Sequence, residues 1–447
     1  MNAKRILFFL ILAGYIFIPG CNKNDSKNNG KLISLTIPAD YYSYYDYVNY
    51  FANTPDGDLI YSEQINNGEE VVFEVNKENV TLKRFDLSRC FIKEYETYIN
   101  ITITSYIDIL PFSLELKTTS STYLGDAYVT FTDVPTYTSY LLANAYSNIT
   151  TYYGDLSTTT FSISIYSDLP KGLLIRLNTG TGELYKFVDG LTVGQTTNIS
   201  LSAMNSDFET AGISLNTNTY SHLQLSVDRY SENNFTSGSY SIFSSLVSTP
   251  ISFSSPSSFL PNNYTRTYLY GILSGKIFSS IIYSDDIPNY VELLDGSATG
   301  YGSLPWSISY DFDINDQPDI VRLSCYHSST FTDTYGFNVT WNVYVKPSSK
   351  DFTLPDIPED IINYLSDYYG IEDLQFNNME LVDVCLYEYG KSQNFDDFIN
   401  YYWSGWGDPQ MNETNKYFNV VVSGKKNYYE PRKFIEYPQH NSLNPDY

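Results

Sequence analysis

Ile99-Asn100-Ile101-Thr102-Ile103-Thr104-Ser105-Tyr106-Ile107-Asp108-Ile109 decides how this chain is read. Isoleucines at 99, 101, 103, 107 and 109 alternate with Asn100, Thr102, Thr104, Tyr106 and Asp108, a period of two. An extended backbone sends successive side chains to opposite faces, so this pattern predicts a strand with one face in a core and the other in water. Phe161, Ile163 and Ile165 repeat the pattern, as do Leu223, Leu225 and Val227, and again Val339, Trp341, Val343 and Val345. Forty-five tyrosines suit pleated, partly exposed faces, and Gly, Pro, Asn and Asp punctuate the strands at short intervals. The expected fold is mainly β: tandem antiparallel β-sandwich (Ig-like) domains from about residue 31 to 350.

Two internal likenesses suggest duplication. Asn53-Thr54-Pro55-Asp56-Gly57-Asp58-Leu59 returns as Asn178-Thr179-Gly180-Thr181-Gly182-Glu183-Leu184, in each case a hairpin tip. Tyr153-Gly154-Asp155-Leu156-Ser157, running on to Pro170, returns as Tyr270-Gly271-Ile272-Leu273-Ser274, running on to Pro288. Their spacing is that of one sandwich module. The resulting division is 34–161, 162–278 and 279–350 as three sandwich units, then 351–447 as a smaller α+β module. Pro358-Glu359-Asp360 leads into Ile361, Ile362, Leu365, Tyr368 and Tyr369 at helical spacing, with Gly370 as the stop. Asn394 caps a second expected helix whose Phe395, Phe398, Ile399 and Tyr402 share a face.

At the N-terminus Lys4 and Arg5 precede thirteen mostly apolar residues, Ile6 to Ile18, too few to span a bilayer. Ile18-Pro19-Gly20-Cys21 resembles a lipobox, which implies a signal peptide over 1–20 and a lipid on the sulfur of Cys21. Two or more acyl chains anchor a soluble protein firmly. Residues 21–33 then read as a lipidated cysteine and polar tether. Lipidated cysteine, tether, tandem sandwiches and a distinct C-terminal module together resemble the surface lipoproteins of Gram-negative glycan-foraging bacteria. The resemblance implies a cell-envelope address at the outer membrane, with the exposed side left open, and a binding role.

With 51 acidic residues against 26 basic ones, the net charge is −25, which repels phosphate backbones and excludes nucleic acid as a partner. Cys90, Cys325 and Cys385 are widely spaced, which favours three buried thiols over a disulfide framework. There is no His-Glu-x-x-His, Gly-x-Ser-x-Gly or phosphate-cradling loop, so no enzyme and no cofactor is expected. Asp311, Asp313, Asn315 and Asp319 offer oxygens at spacings that partly fit a calcium loop. However, Asp316 stands where the loop needs glycine and Arg322 where it needs a bidentate glutamate. Tyr401-Tyr402-Trp403-Ser404-Gly405-Trp406-Gly407 is the most aromatic turn in the chain. Its Tyr402, Trp403 and Trp406 are the ligand-binding candidates, because flat rings stack on sugar faces; sealing a helix end is the competing role. Tyr41-Tyr42-Ser43-Tyr44-Tyr45-Asp46-Tyr47 is a second aromatic candidate. These features lead to an expectation of a non-catalytic, lipid-anchored binding protein for polysaccharide. The alternative is a structural or adhesive protein that contacts another surface protein.

Overall fold

Alternation in the sequence becomes strand pairing along most of the chain. The computed structural model describes residues 31–421, apart from 40, 77–82, 117–121, 135–137, 145–147, 155–159, 168, 217–221, 231–238, 258–263, 274–275, 304–306, 333–334, 350–351, 373, 375–377, 391–393 and 404–412. The expected signal peptide, Cys21 and residues 22–30 of the tether lie outside the described residues, and strand pairing already begins at Lys31. Among the described residues no helix is long and apolar enough to cross a membrane.

The first seven strands are β1 (Lys31–Ile37), β2 (Tyr47–Asn53), β3 (Leu59–Gln64), β4 (Val71–Asn76), β5 (Phe85–Glu94), β6 (Tyr98–Ile109) and β7 (Phe112–Glu115). β1 pairs antiparallel with β4 and parallel with β7, forming a small sheet over β6-β5-β2-β3. Leu35 and Phe73 of the small sheet share a core with Tyr50, Leu87 and Tyr106 of the larger one. The next seven are β8 (Tyr123–Thr132), β9 (Thr138–Asn144), β10 (Asn148–Gly154), β11 (Thr160–Tyr166), β12 (Leu173–Asn178), β13 (Glu183–Val188) and β14 (Thr196–Ser200). They form two sheets, β10-β9-β12-β13 and β11-β8-β14, around a core that includes Val129, Phe131, Ile163 and Ile175.

A third group comprises β15 (Phe208–Leu215), β16 (His222–Tyr230), β17 (Ser239–Leu246), β18 (Ile251–Pro256), β19 (Thr265–Leu273), β20 (Lys276–Ser284) and β21 (Tyr290–Val291). Then follow β22 (Gly296–Ser303), β23 (Ser307–Ile314), β24 (Ile320–Thr332), β25 (Tyr335–Val345), α1 (Glu359–Tyr369), β26 (Glu380–Tyr389), α2 (Phe395–Trp403) and β27 (Glu413–Val421). The fold is mainly β, as the alternation predicts.

One sheet joins strands from early and late in the described residues. Its path is β17-β16-β19-β20-β27-β26-β24-β25-β6-β5-β2-β3, with β22 and β23 attached through β26. β25 runs parallel to β6, pairing Trp341 with Ile103, and β27 lies antiparallel between β20 and β26. The expected boundaries therefore shift. Division at 161 and 278 cuts β11 and β20, and the expected 351–447 module contributes β26 and β27 to the large sheet instead of standing apart. The reason lies in the pattern of β26: Val384 and Leu386 face one core while neighbouring residues are also buried, the mark of an interior strand.

The two sequence likenesses fare differently. Both hairpin tips form, with Gly57 and Gly180 at positive φ closing the β2–β3 and β12–β13 turns. The longer likeness is not structural, because β19 and β20 pair directly whereas β10 and β11 belong to different sheets. Shared Ser, Tyr and Gly content there gives similar sequence without similar pairing.

Within β6 the isoleucine stripe also breaks. Ile99, Ile101, Ile103 and Ile107 enter the core shared with Trp341 and α1, whereas Ile109 enters the opposite core. The register between β5 and β6 slips by a bulge here, Leu87 facing Tyr106 and Phe85 facing Ile109. Asp108 takes φ 56°, and its N–H donates to Asp86 Oδ1 at 2.7 Å. Asp86 is fully buried and its other oxygen has no hydrogen-bond partner in the structure. Burial pushes its carboxyl up to about 7; the Asp108 amide bond opposes this rise and the Asp108 carboxylate adds to it.

A raised carboxyl binds a proton in the native state that the unfolded chain has already released. Its stabilising contribution is therefore complete below pH about 4 and is lost as pH rises to about 7, an effect of up to about 4 kcal/mol. Asp86→Asn is expected to flatten that decline, as read from urea midpoints at pH about 5 and about 8. Equal pH slopes for the two proteins would show that Asp86 does not carry it.

Candidate functional site

The helices form where the sequence places them. Asn394 Oδ1 accepts the Asp397 N–H at 3.0 Å and starts α2, while Gly370 at φ 68° ends α1. Ile361 and Leu365 bury the inner ridge of α1. Tyr368, expected on that apolar stripe, is instead 72% exposed. It follows Tyr364 by one turn on a neighbouring ridge, and their ring centroids lie 4.6 Å apart.

That ridge meets the tyrosine-rich turn before β2. Asp46 N–H donates to the Ile92 carbonyl, and Asp46 Oδ2 accepts the Glu94 N–H at 2.7 Å, so the turn is tied to the end of β5. Tyr42 enters the first core, bonded to Tyr50, and Tyr45 stacks on Phe91 at 4.6 Å. Tyr44 points along the rim, where its hydroxyl meets that of Tyr95 at 2.8 Å. Tyr95 stacks on Tyr98 at 4.7 Å across the β5–β6 turn. On the other side of Asp46, Tyr47 stacks on Tyr364 of α1 at 4.1 Å. Burial is the largest cause of the raised Tyr364 and Tyr369 phenols, and the carboxylates of Asp46 and Glu94 raise both further.

Two groups of rings gather at the end of the large sheet where β2 starts, β5 ends and β6 starts. Tyr44, Tyr45, Tyr95 and Tyr98 form one chain of contacts that reaches the first core through Tyr45, whereas Tyr364 and exposed Tyr368 pack on the opposite face of the sheet, where the Asp46 and Glu94 carboxylates act on Tyr364. Lys93 Nζ lies 4.9 Å above the Tyr44 ring and 3.4 Å from Asp46 Oδ1. These groups present flat apolar rings beside hydroxyl and carboxylate acceptors, the chemistry that holds a polyhydroxylated ring.

Other candidates separate. Trp406 lies outside the described residues, and so do the side chains of Tyr402 and Trp403 in the last turn of α2. The calcium candidates are not brought together as ligands. Asp311 and Asp313 are exposed on β23, Asn315 Oδ1 accepts the Asp295 N–H at 2.8 Å, and Asp319 Oδ2 accepts the Tyr389 N–H at 2.9 Å. Among the described residues no group of three or more His, Cys, Asp or Glu side chains is arranged to hold a metal. Asp316 serves instead as a partner of Lys416 on β27, at 2.9 Å, with Glu388 at 3.0 Å and Glu292 at 3.3 Å. Burial is the main cause of a Glu388 carboxyl raised to about 7, while the Lys416 ammonium opposes the rise. Cys90, Cys325 and Cys385 are buried thiols outside any disulfide, as their spacing suggests, and Cys385 Sγ donates to Asp383 Oδ1 at 3.1 Å.

Residues 41–47 stand out in the sequence as an aromatic cluster, whereas Tyr95, Tyr98, Tyr364 and Tyr368 do not. The available signals were the Tyr95–Tyr98 pair at a strand junction and the four-residue spacing of Tyr364 and Tyr368 on a helix.

The chain matches no protein-family model and no curated protein. Among solved structures it is similar to Escherichia coli alpha-2-macroglobulin activated by porcine elastase, at 8% identity and a TM-score of 0.12. That likeness covers 84% of this chain and 41% of the other, so the chain spans about two-fifths of that protein. It is also similar to the tetra-tandem repeat in the extending region of a large adhesion protein, at 10% identity and a TM-score of 0.10, covering 88% and 98% of the two chains. At these TM-scores neither likeness bears on function.

Proposed function

We propose that the chain is a non-catalytic binding protein of the cell envelope, anchored at the outer membrane by a lipid on Cys21, and that it binds glycan at the tyrosine surface. The observation that carries the binding role is the gathering of two ring groups, Tyr44-Tyr95-Tyr98 and Tyr364-Tyr368, at one end of the large sheet. Ring faces supply apolar contact at low entropic cost, and the flanking acceptors orient sugar hydroxyls. The lipobox resemblance supports the anchor, since Cys21 follows a leader too short to span a bilayer.

The test is oligosaccharide binding by calorimetry, comparing wild type with Tyr368→Ala. Tyr368 is mostly in solvent, so its loss is expected to leave thermal stability nearly unchanged and to weaken binding about tenfold. Saturable binding untouched by the substitution would move the site elsewhere; absence of binding to any glycan would end the reading. For the anchor, Cys21→Ser is expected to leave the membrane fraction, and retention with an uncut leader would contradict lipidation.

A protein-adhesive role is the second reading. It is favoured by the exposed apolar side chains of Tyr123, Leu124 and Tyr128 on β8 and of Val193, which lies beside Gly125 of the same strand.

A further inference from the structure

Resting on the lipid-anchor reading, we infer that the end of the first sandwich where β1 begins is a membrane-facing surface, set against lipid headgroups, and that both ring groups lie at the opposite end, away from the bilayer. Strand register fixes the two ends. β1 runs parallel to β7 with Ile33 beside Phe112, so Lys31 starts level with the Leu110-Pro111 link between β6 and β7. Phe85 pairs with Ile109, which brings Lys83 and Arg84 to the same end. Tyr98 begins β6 at the other end, where Tyr95 stacks on it and Tyr47 at the start of β2 meets Tyr364. The 12 residues of β6 separate the two ends by a length of about 36 Å.

Residues 22–30 lie between Cys21 and the start of β1. The chain from Cys21 to Lys31 reaches at most about 36 Å, even drawn straight. Bringing the ring end down to the bilayer would therefore take the whole tether in full extension along the sandwich, with a loss of conformational entropy at every residue. Setting the β1 end on the bilayer needs no such extension. The chemistry of the two ends fits the same order. Leu110 is 44% exposed beside half-buried Pro111, an apolar side chain that an interface accepts, and exposed Lys83 offers an ammonium to lipid phosphate. Arg84 and Lys346 offset the carboxylates of Asp108 and Asp396. Asp56 and Asp58 of the β2–β3 turn are exposed at this end too, so the contact suits headgroups of mixed charge over a purely anionic surface. Glu94 and Glu96 are exposed at the ring end, where a phosphate-bearing leaflet would repel them.

The experiment uses the chain expressed with its leader, extracted in mild detergent and reconstituted in vesicles of phosphatidylethanolamine and phosphatidylglycerol that carry a headgroup nitroxide. A thiol-reactive fluorophore is attached in turn to Leu110→Cys, Lys83→Cys and Glu96→Cys. Cys90, Cys325 and Cys385 are buried, and a lipid on Cys21 blocks its sulfur, so the introduced thiol takes the label. Strong contact quenching is expected at positions 110 and 83. At position 96 it should not exceed that of the same fluorophore free in solution. Position 83 carries the test alone if replacing Leu110 disturbs folding. Flotation of the vesicles on a density gradient reports the anchor separately. Equal quenching at the two ends, stronger quenching at 96, or none at 110 and 83, in protein that floats with the vesicles, would overturn the orientation while the anchor stands. Protein that does not float would overturn the anchor and the orientation with it.

Discussion

Ending the chain before Glu413 is expected to abolish the soluble, cooperatively folded protein. β27 lies in the interior of the large sheet, pairing Phe418 with Phe278 of β20 on one side and with Leu386 of β26 on the other. Without it, two strands lose a complete row of backbone partners, and buried amides and carbonyls left unpaired cost about 1–3 kcal/mol each. Two long apolar strand edges would also be opened to other molecules, a recognised route to aggregation. The loss of Lys416, only 7% exposed, would leave Asp316, Glu388 and Glu292 as mutually repelling carboxylates. Soluble yield, chromatographic size and amide exchange in β20 and β26 check the outcome. A monomer with wild-type melting temperature would show that β27 is an accessory strand.

Trp341→Ala is the second large effect. Trp341 sits on β25 between β24 and β6, buried in the core that also receives Ile101, Ile103 and Leu323. Its indole N–H donates to Ser105 Oγ at 2.9 Å, and Ser105 pairs with Ser88 Oγ at 2.7 Å. Removing the ring creates a cavity at the seam between strands distant in sequence, a loss of about 3–5 kcal/mol. Against a usual total of about 5–15 kcal/mol, that lowers the melting temperature by several degrees or unfolds the seam. Trp341→Phe keeps most of the packing and gives up the indole hydrogen bond, worth about 1 kcal/mol, so it should melt between the two. Equal melting of the alanine and phenylalanine variants would contradict a packing role.

Local chemistry was legible in the sequence, and long-range pairing was not. Period two announced β6, β11, β16 and β25, and Asn394 and Gly370 marked helix ends, because each signal depends on neighbours within a turn or a strand. Nothing in residues 98–109 says that their parallel neighbour is 335–345, or that 413–421 fills the gap between β20 and β26. Those choices depend on the fit between faces of separate segments. The break in the isoleucine stripe at Asp108 was hidden for the same reason, since it answers to Asp86 on the adjacent strand. The tyrosine surface shows both limits. Residues 41–47 were visible as a cluster, whereas Tyr95 and Tyr98 join it only when the β5–β6 turn closes, and Tyr364 and Tyr368 reach Tyr47 only when α1 folds onto β2. Tyrosine is so abundant here that a ring count gives little information about where a surface forms.

Tyrosine-selective labelling with and without a saturating oligosaccharide measures directly where ligand meets the protein. Iodination mapped by peptide mass should fall at Tyr44, Tyr95, Tyr364 and Tyr368 when ligand is bound, while exposed Tyr123 and Tyr290 stay equally reactive. Protection confined to other tyrosines, or unchanged labelling at these four under saturating ligand, would contradict the assignment of the site.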